Sequence, residues 1–392
     1  MKRSRLAIAL AIAILLLGAG TVLGQQPPIR IGIVYSFSGA GGTAGKEFND
    51  TVALFQKQHG DTVAGRKIEL VERDDGGIAP DNARRLAQEL IVSQHVDLLA
   101  GLIFTPNAMA VGAVSTQAKI PTFIVNATTS GIMAKNPYMS RYSMTATQVT
   151  VPLAQYAYKS GQRTMYVLFL DYGPGIDSGQ TFENTFTAAG GKIAGEIRMP
   201  VTTEDFSAYI QRVKDAHPDG IYIFLNASGS GTTFLKQAAT AGLDKAGIKI
   251  FCSGDLLTEQ VLPAIGDAAI GVISSMNYSG THDSKMNRDY VKAFEAQSGG
   301  LPPTFGGVGV YDAFTAMYKV IDALHGQLND PDKVMDVVKT LMFESPRGPI
   351  AIDPDTRDIV QNVYIRRTEK VGGQLVDTEI DTYPMFKDPS EH

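Results

Sequence analysis

The sequence predicts an α/β protein of two doubly wound, Rossmann-like lobes, and three observations carry that expectation. Short apolar runs alternate with amphipathic stretches from residue 29 onward, the order that produces a parallel sheet covered by helices. The alternation pauses and begins again near Thr164, which makes a second unit of similar length. Removing a leader of 24 residues from the 392 leaves more chain than one core holds, since single cores stop growing at roughly 250–300 residues.

In the first unit the strands are expected at Ile29 to Tyr35, Lys67 to Glu72, Leu98 to Gly101 and Thr122 to Val125. Helices are expected between them at Phe48 to Gln58, Asp81 to Ser93 and Asn107 to Ala118. The strands read Ile-Gly-Ile-Val, Asp-Leu-Leu-Ala and Phe-Ile-Val, near-continuous apolar runs suited to a sheet buried on both faces. The second unit repeats the order with Met165 to Leu170, a helix at Asp177 to Ala189, Gly191 to Met199, a helix at Phe206 to Asp215, Gly220 to Leu225, a helix at Gly231 to Ala241 and Lys249 to Ser253. Gly190 and Gly242 follow the first and last of these helices as C-cap signals. Helical patterns return at Tyr290 to Gln297 and Gly309 to Gly326, and Ile350 to Asp353 and Val360 to Arg366 read as late strands. Neither unit completes its layers without this material, so the chain is expected to cross between lobes more than once.

The N-terminus sets the compartment. Lys2, Arg3 and Arg5 precede an unbroken apolar run from Leu6 to Leu17, and small residues follow before Gln25; this is the pattern of a cleavable signal peptide over residues 1–24. A dozen apolar residues fall short of the ~20 a spanning helix needs. A mature protein outside the cytoplasm is therefore expected, with an uncleaved anchor as the alternative. The single cysteine, Cys252, excludes an internal disulfide, so stability must come from burial. Hydrophobic residues make up 44% and charged ones 19%, an ordinary globular balance. A net charge of −5 excludes nucleic acid as a partner, because phosphate backbones are bound through Lys and Arg.

Ligands of open parallel sheets bind outside the carboxyl ends of the strands. The segments there are Phe37 to Gly42, Phe104 to Pro106, Asn126 to Ser130, Asp171 to Gly175, Asn226 to Ser230 and Ser253 to Asp255, nearly all small, hydroxylated or amide residues. Such loops offer neutral donors and backbone N–H groups at helix starts, which suits a carboxylate. Thr105, Thr128 and Ser130 can each be read instead as helix N-caps.

Enzymatic and metal chemistry find little support. Gly39-Ala40-Gly41-Gly42-Thr43-Ala44 fits the dinucleotide fingerprint formally, yet no helix is seen to open inside it and Glu72 and Asp74 come too late for the ribose. Asp74-Asp75 offers too few oxygens for a hard cation, and the six histidines lack ligand spacing. No Gly-x-Ser-x-Gly follows a strand. No cofactor, no metal and no catalytic residue are expected.

The chain resembles the periplasmic solute-binding proteins of ABC transporters, of the leucine/isoleucine/valine-binding type, through Ile31-Gly32-Ile33-Val34 to Ser38-Gly39, Val71 to Asp75, Gly101 to Thr128, Asp171-Tyr172-Gly173 and Gly348-Pro349-Ile350. The resemblance implies a type I periplasmic-binding fold, its lobes joined by a three-segment hinge near residues 146, 277 and 346. It would divide the chain into an N-terminal lobe of 25–146 plus 278–345 and a C-terminal lobe of 147–277 plus 346–392, closing on a solute. It places Thr105 and Thr128 on the ligand carboxylate, Asn126 as the source of a backbone carbonyl that accepts from the ligand and Asp255 against a ligand ammonium, with Tyr172 and Asn226 as polar rim contacts. The aromatic walls of amino-acid binders fall here on Ala44 and near Gly175, so the pocket is expected to admit an aromatic acid as well as an amino acid. Asp255 has a competing reading as the N-cap of a helix over Leu256 to Leu262. The expected function is capture of a small carboxylate-bearing solute and delivery to an inner-membrane ABC permease by a monomer. A ligand sensor addressing a membrane receptor and an exported α/β enzyme are the other classes.

Overall fold

The computed structural model describes residues 26–225 and 229–391. The signal peptide read over 1–24 and the rim residue Asn226 lie outside the described residues. The first lobe is built from β1 (Ile29–Tyr35), α1 (Gly42–His59), β2 (Thr62–Val63), β3 (Arg66–Asp74), α2 (Pro80–Val92), β4 (Leu98–Gly101), α3 (Thr105–Ala118), β5 (Thr122–Ile124) and β6 (Met139–Arg141). Its strands form a sheet in the order β2-β3-β1-β4-β5-β6. All neighbours are parallel except the β2–β3 ribbon. The apolar strand centres explain the register: Ile29, Ile31 and Ile33 turn to one face and Val34 and Leu99 to the other, and both faces are covered by helices.

Helix α1 opens at Gly42, six residues earlier than its apolar pattern suggests, directly after a 3-10 turn over Gly39–Gly41. A helix does therefore begin inside the glycine-rich segment. Small residues mask its start, because the pattern of buried side chains only becomes legible at Phe48.

The second lobe follows with α4 (Ala146–Lys159), β7 (Thr164–Leu170), α5 (Gly173–Ala188), β8 (Lys192–Met199), α6 (Ser207–Ala216), β9 (Gly220–Phe224), α7 (Ser230–Thr240), β10 (Lys249–Ser253) and β11 (Ile273–Met276). The chain then returns to the first lobe as α8 (Lys285–Ser298), α9 (Phe305–Ala323) and α10 (Pro331–Val338). Phe48 and Phe55 of α1 pack on Phe314 and Tyr311 of α9 in the largest hydrophobic core.

It ends in β12 (Met342–Ser345), β13 (Gly348–Ile352), β14 (Ile359–Val371) and β15 (Gln374–Phe386). These complete a nine-stranded sheet, β12-β13-β14-β11-β10-β9-β7-β8, with β15 on β14. The sheet is parallel from β8 to β11 and antiparallel beyond. β12 and β13 hydrogen-bond within this second sheet, while Phe343, Ile350 and Ile352 pack on the first lobe's core. The hairpin β14–β15 turns on Gly372 and Gly373, both at positive φ (59° and 88°), as a two-residue primed turn requires.

The chain thus passes between the sheets three times, at 142–145, 277–284 and 339–341. Among the described residues no helix is long and apolar enough to cross a membrane.

Candidate functional site: the interlobe strand-end edges

Parallel pairing puts the carboxyl ends of β1, β4 and β5 on one edge of the first sheet and those of β7, β9 and β10 on one edge of the second. These edges approach each other. A Cβ added to Gly173 of α5 would lie 3.2 Å from Thr129 Oγ1 of the first lobe. The Ser130 N–H donates to Asp177 of α5, Ser130 Oγ donates to Asp388 Oδ2 at 2.6 Å, and Gln260 Nε2 reaches the Pro302 carbonyl at 2.8 Å.

On the first edge the backbone pairing of β4 with β5 runs on past the strands, with Val125 N donating to Gly101 O and Ala127 N to Leu102 O. Two side-chain bonds extend it: Asn126 Nδ2 to Ile103 O at 3.2 Å and Thr129 N to Thr105 Oγ1 at 3.4 Å. The loop 126–130 is thereby laid against 103–105. Thr105, Asn126 and Thr128, all half-buried, share one short stretch of edge. The Thr128 carbonyl accepts from Ala146 N at 2.8 Å, which ties the loop to the first crossover. Asn126 Oδ1 and Thr129 Oγ1 are sealed from solvent without a hydrogen-bond partner among the described residues. Thr129 was not singled out in the sequence, although it lies between Thr128 and Ser130; the alternation of side chains along extended backbone does not resolve which member of a hydroxyl run faces a cleft.

The N-cap alternatives do not hold. Phe104, not Thr105, occupies the N-cap of α3, and Ser130 Oγ is engaged by Asp388 and Thr147. Asp255 lies inside a 3-10 turn, Gly254–Leu257, whose N-cap is Ser253; no helix runs over Leu256 to Leu262. The departure assigned to Gly175 is corrected as well. Gly175 sits in α5 against the end of β7, where a Cβ would meet the Leu170 carbonyl oxygen at 2.0 Å. Close helix–strand approach demands glycine there, so that position is not a vacated wall. Ala44, in contrast, is half-buried at the start of α1.

On the second edge, Tyr172 precedes α5 and is half-buried. Burial raises its phenol above the ordinary range, and the Asp255 carboxylate raises it further, which places the two side chains within electrostatic reach. Burial pushes the Asp255 carboxyl up to about 6, against the lowering effect of hydrogen bonds from Ser253 and nearby backbone N–H groups. Asp255 Oδ1 has no hydrogen-bond partner among the described residues. The neighbouring cation, Arg366, gives its hydrogen bonds to the Gly254 and Tyr278 carbonyls and pairs with Asp377.

The two edges differ in charge. The first presents hydroxyls and an amide, groups that hold a carboxylate by hydrogen bonding without neutralising it; the second presents a phenol ring and one buried acid. Asp74 and Asp75 serve the fold. Asp74 accepts from Phe37 N and Gly76 N, and Asp75 from Ser36, Gly77 N and Asn107. Half-buried Phe37, Phe104 and Phe305 also stand at the strand ends and helix starts of the first lobe.

Residues 28–373 match the family model described as periplasmic binding protein. A curated relative from Brucella suis, the Leu/Ile/Val-binding protein homolog 6, is 38% identical over 363 residues, covering 92% of this chain and 93% of its own. A solute-binding protein of an ABC transporter from Rhodopseudomonas palustris BisB5, solved with 3,4-dihydroxybenzoic acid, is 41% identical with a TM-score of 0.88, covering 93% of this chain and 99% of that one. Another from R. palustris, solved with 4-hydroxybenzoate, is 40% identical with the same TM-score and coverage. With its two parallel-sheet lobes, three crossings and polar strand-end edges, the chain belongs to the periplasmic binding protein family, among the solute-binding proteins of ABC transporters.

Proposed function

We propose that the protein captures an aromatic carboxylate between its lobes outside the cytoplasm and delivers it to an inner-membrane ABC permease. The observation that carries this reading is the pairing of unlike edges. Thr105 and Thr128 lie together as neutral hydroxyls, the nearby Arg141 guanidinium being spent on the Thr129 and Met144 carbonyls and on Asp358, while the facing lobe brings a phenol ring and a buried acid. The hydroxyls of Thr105 and Thr128 hold the carboxylate, Asn126 adds a polar contact, Tyr172 packs on the ring, and Asn226 contributes at the rim. Closing the lobes about the crossings at 142–145, 277–284 and 339–341 removes water from these bonds and strengthens them. The relatives at 40–41% identity that hold hydroxylated benzoates support the aromatic class.

A second reading, capture of a branched-chain or aromatic amino acid, has its own support in the name of the 38%-identical Brucella relative and in an acid at the cleft suited to an ammonium. Calorimetric titration of the purified mature protein with 4-hydroxybenzoate, L-leucine and L-phenylalanine separates them. Tight binding of the acid and none of the amino acids is expected; the reverse result overturns the aromatic reading. Recovery of the bound compound unchanged excludes an enzyme, and uptake by cells carrying the permease separates transport from sensing.

A further inference from the structure

We propose that Asp255 reads a hydroxyl group on the ring of the solute at the end opposite its carboxylate, so that the protein selects para-hydroxylated aromatic acids over their unsubstituted parents. This rests on the aromatic reading above and goes beyond it, because it assigns a selecting residue.

The unused valence of Asp255 is the starting point. Its Oδ1 is buried without a hydrogen-bond partner among the described residues, and buried polar atoms in native structures are almost always paired. The cation nearest to it is committed elsewhere. Arg366 donates to Gly254 O at 3.1 Å, to Tyr278 O at 2.9 Å and to Ser274 Oγ at 3.3 Å, and lies 3.3 Å from Asp377. It packs so close beneath Gly254 that a Cβ there would meet Nη2 at 2.2 Å. The arginine therefore braces the underside of the turn with its hydrogen bonds and acts on the acid through its charge alone.

The placement of the acid separates a ring hydroxyl from an ammonium. In an α-amino acid the ammonium is one carbon from the carboxylate, so an acid that pairs with it must come close to the groups that hold the carboxylate. In a para-hydroxylated benzoate the hydroxyl lies across the ring from the carboxylate. Asp255 stands on the opposite lobe from Thr105 and Thr128, and the groups that feel its charge, Tyr172, Tyr222 and Cys252, all belong to the second lobe. The phenol ring of Tyr172 stands on the same lobe within electrostatic reach of the acid and offers an aromatic face to the intervening ring. With the Asp255 carboxyl at about 6, the group is an acceptor at neutral pH, and a phenolic O–H is its natural donor. A site built to bond a hydroxyl rejects the analogue lacking it, since that analogue leaves Asp255 Oδ1 without its donor.

The test is a calorimetric series on the wild-type mature protein with 4-hydroxybenzoate, 4-fluorobenzoate, benzoate and L-leucine, repeated with Asp255→Ala. Wild type is expected to bind 4-hydroxybenzoate at least about tenfold more tightly than 4-fluorobenzoate or benzoate. Asp255→Ala is expected to bring the three acids within about twofold of one another. Equal wild-type affinity for the hydroxy and fluoro acids overturns the inference without any variant, so it stays falsifiable where the substitution impairs folding. A tenfold preference that persists in Asp255→Ala also overturns it, and both results leave the aromatic reading standing. Binding of L-leucine with none of the acids fails the aromatic reading itself, and the inference with it.

Discussion

Buried polar groups gather in two regions of this molecule, and they are treated in opposite ways. Where the chain crosses between lobes, three fully buried arginines are each paired with an aspartate: Arg141 with Asp358 at 2.7 Å, Arg347 with Asp312 at 2.6 Å and Arg366 with Asp377 at 3.3 Å. Each also donates to the backbone of a crossover or of the loop beside it. Arg347 holds the Tyr142 and Ser143 carbonyls, Arg141 those of Thr129 and Met144, and Arg366 that of Tyr278. Neutral amides complete the set, with Asn277 and Gln361 both donating to Ser143 O and Gln361 to Gln148 Oε1. Some crossover atoms also lack a hydrogen-bond partner among the described residues, Ser143 Oγ, Asn277 Oδ1 and Asp312 Oδ1 among them, but the charged side chains there are paired; at the cleft edges the unpartnered atoms, Asn126 Oδ1, Thr129 Oγ1 and Asp255 Oδ1, sit on side chains outside those ion pairs. Bonds made within the chain fix the crossovers; bonds left open at the edges are the ones a solute can make. Charge is used where geometry must be held, and on the proposed reading hydroxyls are kept for the solute.

The largest consequence falls on the crossovers. Arg347→Ala leaves Asp312 buried and alone, and removing one member of a buried pair costs about 3–5 kcal/mol. Burial already pushes Asp312 up and Arg347 down from their ordinary values, so the pair is held against a desolvation cost. Replacing both partners, as Arg347→Met with Asp312→Leu, should recover most of the loss. Urea denaturation of the single and double variants checks this; a single variant within about 0.5 kcal/mol of wild type, the range of an ordinary surface change, would erase the distinction between the two regions.

Next in size is the pH dependence of the ligand-free protein. Glu47 and Asp255 are raised by burial, to about 7 and about 6, above the values they have in the unfolded chain. Between those values the native state binds more protons, so stability increases as pH falls from 8 to 5.5, by on the order of 2 kcal/mol. The gain ends near the ordinary carboxylate range. Below it, Asp74 and Asp219, held low by hydrogen bonds from Ser38 and from the Arg163 N–H, take up protons and the trend reverses. Melting temperatures across this range should pass through a maximum on the acid side of neutrality; a monotonic rise toward pH 8 would contradict the burial of both acids.

At the edges the expected effect is on affinity. Thr128→Ala should weaken binding of 4-hydroxybenzoate by about 1–3 kcal/mol, the cost of leaving a buried polar group without its partner, with the melting temperature of the free protein unchanged. Unaltered affinity by calorimetry removes Thr128 from the site.

Much of this was legible in the chain. Apolar strand centres such as Ile31 to Val34 and Leu168 to Leu170 can only be buried, and glycines such as Gly190 and Gly242 mark helix ends, so the two parallel sheets followed from local pattern. That Thr105, Asn126 and Thr128 share one edge was legible because parallel topology sends strand ends there, whereas their selection within those segments came from the family resemblance. The rest depends on contacts between residues far apart in sequence. Nothing near Arg141, Arg347 or Arg366 marks them as core residues, because their partners lie 217, 35 and 11 positions away. The β14–β15 hairpin had a local signal in Gly372-Gly373, but mixed polar and apolar residues along β15 blurred the strand. Gly175 looked like a missing wall because an alignment of residue types carries no information about the carbonyl 2.0 Å from its Cβ position.

The smallest effect belongs to the residue that joins the two regions. Ser130 lies in the strand-end loop with Thr128, yet its Oγ bonds Asp388 at 2.6 Å and Thr147 at 3.1 Å in the manner of the crossovers. Both partners lie outside the first sheet, at the start of α4 and after β15, so these bonds tie the loop to the second lobe. A single intramolecular hydrogen bond has a net worth of about 0.5–1.5 kcal/mol. Half-burial of Ser130 allows water to replace part of it, which puts Ser130→Ala at the low end of that range. Its effect is expected in the dissociation rate of 4-hydroxybenzoate, because the bond to Asp388 joins the strand-end loop to the second lobe, while the association rate stays as in wild type. Stopped-flow measurement of both rates decides the matter. A loss as large as that of Thr128→Ala would place the Ser130 hydroxyl on the solute, and the boundary between the two regions would move one step into the loop.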